Sequence, residues 1–260
     1  MYLIAGFSAA LSRWPSFSNR SQPLVSIAVV WGLIAISWHF WLLWQSVAGG
    51  PGLALSLGNT ASFVGLQLAL IAAFGSLEPS LRGLAGGLLA LAGAGAVFTG
   101  FGSAAPVMQN SGWQIQAHVL ISLFAYGLLT VGAIVALYAL VQDQRLRSAR
   151  LSPINQLFAP LETTEKLLFG VTSTGFTILL LAIFSGLAFV ENLFAQHLVH
   201  KTVLSLVALT LFGVLLAGRR FAGWRGKRAV YLYLGGFITL GLAYFGSRYI
   251  LEALLGRSWG

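Results

Sequence analysis

Four histidines carry the clearest coordination chemistry in this 260-residue sequence, which has no cysteine and six acidic residues. They are His39, His118, His197 and His200. A neutral imidazole nitrogen binds transition metals, and two imidazoles on facing helices can complete a six-coordinate haem iron. The same ring also serves as a hydrogen-bonding group between helices in lipid. Around His39 the sequence reads Trp38-His-Phe-Trp41-Leu-Leu-Trp44, with tryptophans at three-residue steps. That spacing suits an aromatic belt at a membrane interface or an aromatic platform beside a flat ligand. His118, Ser122 and Tyr126 recur at i, i+4 and i+8, which is one face of one helix. A polar stripe in an apolar segment should point into a bundle. There Ser122 or Tyr126 would orient the imidazole, bind a propionate, or simply bond a neighbouring helix. His197 and His200, three apart, read as one turn presenting two ligands or as a solvated interfacial pair.

Other chemistries have no support. There is no P-loop, His-Glu-x-x-His pattern, nucleophile elbow or paired membrane carboxylate. Glu78, Asp143, Glu162, Glu165, Glu191 and Glu252 fall in loops or near the ends of apolar segments, which argues against a pump built on a buried carboxylate. The absence of cysteine excludes a disulfide framework, a thiolate metal site and c-type haem attachment on this chain. Any haem would be held non-covalently, and no catalytic residue is expected.

The elements that must position the histidines follow from composition. Apolar residues make up 57% of the chain, charged residues 8%, and mean hydropathy is +0.84. A soluble domain is about one quarter charged, so the natural solvent here is lipid. The expected fold class is all-α: a polytopic transmembrane helix bundle forming one integral membrane domain over residues 1–260. Spans are expected at 24–46, 58–76, 83–102, 117–141, 168–190, 199–217 and 229–248. Residues 2–12 are apolar but too short to cross alone and lack the basic start of a signal peptide, so they read as a shortened first helix. The 83–102 segment holds Gly86, Gly87, Gly93, Gly95 and Gly100. Such density points to close helix packing in lipid, or to a small-residue face against a flat cofactor.

The net charge of +9 would suggest nucleic acid in a soluble protein. In a membrane protein, cytosolic loops collect basic residues instead. One set of loops holds Arg13, Arg20, Arg82, Arg145, Arg147, Arg150, Lys166, Arg219, Arg220, Arg225, Lys227 and Arg228; the other holds Lys201, Arg248 and Arg257. This asymmetry places the first set in the cytosol and all four histidines towards the outer side. No nucleic-acid partner is expected. The Arg219–Arg228 loop reads as an anchor to anionic headgroups with Trp224 at the interface, or as a dock for an acidic partner.

Two stretches carry a family resemblance. The first is Trp113-x-x-x-x-His118-Val-x-x-Ser122-x-x-x-Tyr126, ending in Ala136-Leu-Tyr138-Ala-Leu-Val-Gln142. The second is Gly223-Trp-Arg-Gly-Lys-Arg228 followed, after a further span, by Leu242-Ala-Tyr-Phe-Gly-Ser-Arg248. Together they resemble the cytochrome c assembly family of haem-handling membrane proteins, most of all its short, YpjD-like branch. The resemblance covers about residues 110–250. It implies haem b held by membrane histidines and presented at the outer face of the cytoplasmic (inner) membrane. Partners implied are the lipid bilayer and apocytochrome c or another membrane protein of the assembly machinery. His118 matches the family's outer-face histidine and His39 a histidine of the short branch's second span. These two are the expected iron ligands, with His200 in reserve and Ser122, Tyr126, Trp113 and Trp38 beside the cofactor. Two departures accompany it. The family's tryptophan-rich haem-presenting motif should lie near 186–203, where this chain has no tryptophan. Arg219 stands where a histidine often ends the following span. Haem binding is therefore expected and haem attachment is not. The alternative is a non-haem accessory or transport-associated subunit that keeps the fold.

Overall fold

Apolar helices separated by proline, glycine and polar turns are what this sequence can make in lipid, where every backbone amide must be satisfied within its own segment. A computed structural model describes residues 1–48, 56–101, 112–147, 159–189 and 199–243. Among these, the chain forms eight α-helices and one short 3-10 turn. They are α1 (Tyr2–Leu11), α2 (Ser21–Ala48), α3 (Leu57–Leu77), α4 (Arg82–Val97), α5 (Trp113–Arg147), α6 (Leu161–Phe189), α7 (Val199–Ala222) and α8 (Gly226–Gly241). The protein is thus an all-α, multi-pass membrane protein. α2, α3, α5, α6 and α7 are long and apolar enough to cross a bilayer; α1 and α4 are shorter apolar helices.

Local signals explain the ends. Ser56 caps α3 by accepting from the Asn59 amide at 3.0 Å. Pro79 follows its C-terminus and cannot continue a helix. α4 stops earlier than the expected 83–102 span. Gly100 adopts a left-handed conformation, φ 78°, which only glycine reaches without cost, so the segment turns after Val97. At sixteen residues α4 is about 24 Å long, short of a hydrocarbon core of about 30 Å.

The chain divides into two compact units, residues 1–109 with 141–166, and residues 110–140 with 167–260. In the first, α4 packs on both α1 and α3 through glycine. A Cβ on Gly86 would lie 2.6 Å from the Gly6 carbonyl oxygen, and one on Gly95 would lie 2.9 Å from the Gly65 Cα. Gly93 rests against the Tyr2 side chain in the same way. Small residues allow this backbone approach, which supplies the dispersion contacts that drive helix association in lipid. Arg13 closes the arrangement by donating through Nη1 to the Pro79 and Ser80 carbonyls, each at 2.7 Å. The short first helix is therefore a packed member of this unit. We expect Gly86→Leu to destabilise the protein by about 1–3 kcal/mol through overpacking at the α1–α4 seam. Thermal unfolding of purified protein in detergent measures this, and an unchanged midpoint would refute the seam. In the same unit, Gln142 at the end of α5 donates to the Ala159 carbonyl and accepts from Thr164 Oγ1 at 3.1 Å.

The second unit is built around Tyr233 of α8, which is fully buried. Its hydroxyl donates to the Leu129 carbonyl of α5 at 2.8 Å, and its ring meets Phe212 of α7 edge-on at 5.2 Å. Gly132 leaves space for that hydroxyl.

Candidate functional site

His39 and His118 sit in different units and in different chemical states. His39 lies on the buried face of α2 and is 2% exposed. Its Nδ1 is 3.0 Å from the Tyr2 hydroxyl and its Nε2 is 2.8 Å from Ser62 Oγ of α3. Ser62 Oγ is in turn 2.6 Å from Thr99 Oγ1, which donates to the Ala96 carbonyl at 2.8 Å. The direction of each bond can be worked backwards from that carbonyl. Thr99 has one hydrogen and gives it to Ala96, so Ser62 donates to Thr99. Ser62 must then accept from His39, which carries its proton on Nε2. The Nδ1 lone pair accepts from Tyr2. Every atom in this chain is matched, and both ring nitrogens are spent. Tyr2 also meets the imidazole edge-on, with centroids 5.7 Å apart.

His118 is arranged the other way round. It is half-buried near the start of α5, and its Nδ1 lies 2.9 Å from Ser185 Oγ of α6. Ser185 gives its single hydrogen to the Ala182 carbonyl at 2.8 Å. It therefore accepts from His118, and the proton is on Nδ1. With the proton on Nδ1, Nε2 keeps its lone pair; the ring also bonds the Ala182 backbone. The ring lies against Gly186, where an added Cβ would come within 2.9 Å of Cε1. A ligating histidine is commonly oriented through its other ring nitrogen in this manner.

The remaining expected residues divide between the two units. Ser122 donates back to the His118 carbonyl at 2.8 Å, so its hydroxyl is turned onto its own helix rather than to the imidazole. Tyr126 faces α8, with its ring 5.9 Å from Phe237. Trp113 is exposed and pairs with Phe189 at 6.3 Å, near the end of α6 that carries Ser185 and Gly186. Trp38 is 57% exposed and pairs with Trp41, so it stands on the outer face of α2, away from the buried His39. That is the position of a belt residue, not of a platform beside the imidazole. His200 falls in the first turn of α7, and its side chain lies outside the described residues, as does all of His197. The sequence reading missed Tyr2, Ser62 and Ser185. Ser185-Gly186, two small residues in the apolar second half of α6, was the available signal for the last.

Apolar helices of membrane-spanning length define the chain as a polytopic membrane protein. The chain belongs to the cytochrome c assembly protein family, whose profile matches residues 25–255. It is 38% identical over 137 residues to the inner membrane protein YpjD of Escherichia coli strain K12, covering 53% of this chain and 52% of that one. It is 30% identical over 156 residues to a 28.8 kDa protein of Azospirillum brasilense, covering 58% of each. Over 175 residues it is 24% identical to the cytochrome c biogenesis protein CcsA of Guillardia theta, covering 60% of this chain and 58% of that one. The chain spans about half the length of the curated relatives it matches. No solved structure gives a significant match.

The residues present can be tested against a haem. His118 fits: it offers a lone pair on Nε2, a fixed tautomer, and a glycine beneath the ring. His39 does not fit as it stands, because iron would have to displace Tyr2 or Ser62 from a fully matched chain. Of His39 and His118, only His39 has both ring nitrogens bonded to hydroxyl groups.

Proposed function

We propose that this chain is an inner-membrane protein of cytochrome c biogenesis that holds haem b non-covalently through His118 and presents it at the outer face. The carrying observation is the Ala182–Ser185–His118 series, which supports a proton on Nδ1 and a lone pair on Nε2. A bound haem would supply an iron centre. The protein's own residues do the rest: Ser185 orients the imidazole, and Gly186 lets the ring lie close to the α6 backbone. His200 would be the reserve ligand. The bilayer is the first partner, and apocytochrome c or another assembly-machinery membrane protein the second. The basic-loop asymmetry supports a cytosolic location for those loops and an outer one for the histidines.

A second reading is favoured by the saturated His39. An accessory subunit that keeps the fold without the cofactor would bury a histidine in this way. One absorption spectrum separates the two. Protein purified in detergent from haem-replete cells is expected to carry a b-type Soret band with about one haem per chain by pyridine haemochrome assay. A featureless Soret region would overturn the haem reading and leave the accessory subunit.

A further inference from the structure

α2 buries one stripe, Ala28, Gly32, Ala35, His39 and Leu43, and packs on α1 and α3. A second stripe, Ile27, Trp31, Ile34, Trp38, Trp41 and Gln45, is exposed along the helix. Its steps are four, three, four, three and four residues, the spacing at which two helices lie side by side over several turns. Acyl chains follow any surface and need no such repeat.

The stripe also carries a hole. Ser37 is small among large neighbours, so Ile34, Ser37, Trp38 and Trp41 rim a groove of about 520 Å³, with Leu33 at one edge. These four stand at i, i+3, i+4 and i+7, the set that receives a side chain from a facing helix. In a parallel pair of identical helices the side chain entering this hole is residue 38 itself.

Hydrogen bonding points the same way. Ser26, Ser76 and Thr130 spend their hydroxyls on carbonyls of their own helices. Neither the Ser37 hydroxyl nor the Trp38 indole N–H has a hydrogen-bond partner among the described residues, and nor has the Gln45 amide. The indole is a donor and the hydroxyl can accept, but adjacent residues on one helix do not face each other. A two-fold axis brings them together twice. It also sets each Gln45 amide, both donor and acceptor, against its twin.

We infer that this face of α2 binds a second copy of the chain, the two α2 helices lying parallel. The partner's Trp38 fills the groove over Ser37, and its indole N–H donates to the Ser37 hydroxyl.

The chain has no cysteine, so single cysteines test the contact directly. In membranes treated with a permeant oxidant, Ile34→Cys, on the stripe, is expected to give mostly disulfide-linked dimer. Phe40→Cys, exposed on another side of α2, is expected to stay monomeric. Sedimentation of the full chain in detergent gives the association constant. One interhelical hydrogen bond in a membrane is worth roughly threefold, so losing both Ser37–Trp38 bonds should weaken the dimer about tenfold. Ser37→Ala, Trp38→Phe and the double variant should all show that same loss, because each removes the same two bonds. Ser37→Phe fills the groove from outside the buried stripe and should give monomer with an unchanged unfolding temperature. Absence of a cross-link at residue 34, or equal cross-linking at 34 and 40, would overturn the interface. So would a monomeric wild-type chain, or single-variant losses that add in the double.

Discussion

Replacing His118 with alanine is expected to strip haem from the protein almost completely, whereas replacing His39 with alanine leaves haem content per folded chain unchanged. The asymmetry follows from the two tautomers. At His118 the Nε2 lone pair is the open donor, and at His39 both nitrogens are committed to hydroxyl groups. Ser185→Ala gives a graded check on the same point. Loss of a partner that orients a metal-bound histidine typically costs about 10- to 100-fold in affinity. Haem titration of the apoprotein should therefore show weakening of about that size for Ser185→Ala and much more for His118→Ala. If His39→Ala loses haem and His118→Ala keeps it, the assignment is reversed and the hydrogen-bond directions derived for these rings are wrong.

The second large effect concerns stability rather than pigment. His39→Ala should destabilise the first unit by about 3 kcal/mol, because it leaves a cavity and strands the Tyr2 hydroxyl and Ser62 inside the helices. Tyr2→Phe removes one hydrogen bond and should cost about 1 kcal/mol. The double variant should cost less than the sum, with a coupling near 1 kcal/mol, because residues in one hydrogen-bonded chain do not act independently. Unfolding in mixed micelles measures all three. Strict additivity would show that Tyr2 and His39 do not bond one another.

Most of the fold could be read from the order of residues. Long apolar runs with few charges leave little choice in lipid, and each of the eight expected segments overlaps a helix among the described residues. The boundaries were less accessible. α5 runs to Arg147, beyond the apolar stretch expected to end at 141, because its final turns carry the Asp143–Arg147 ion pair at 2.9 Å. α4 ends early for the opposite reason, a single left-handed glycine.

The site was legible only in part. That His39 and His118 merit attention is plain from their rarity in apolar surroundings. What separates them is the direction of two serine hydroxyls, and those serines stand 23 and 67 residues away along the chain. No periodicity within one helix reports on a partner chosen by packing. The Ser122 stripe misled for the same reason: a shared helix face says where a hydroxyl starts, not that it will turn back to its own carbonyl. The role of α1 was hidden too, since its place depends on Gly6 meeting Gly86 across 80 residues.

That last separation bears on how the molecule is made. α1 is complete at Leu11, yet its glycine-lined partner starts at Arg82. At a synthesis rate of about 5–20 residues per second, the ribosome takes roughly 4–15 s to supply that partner. During this interval α1 gains α2 to pack on but lacks its glycine-lined partner. The α1–α4 seam is consequently closed late, whereas Tyr2 can meet His39 as soon as α2 is made.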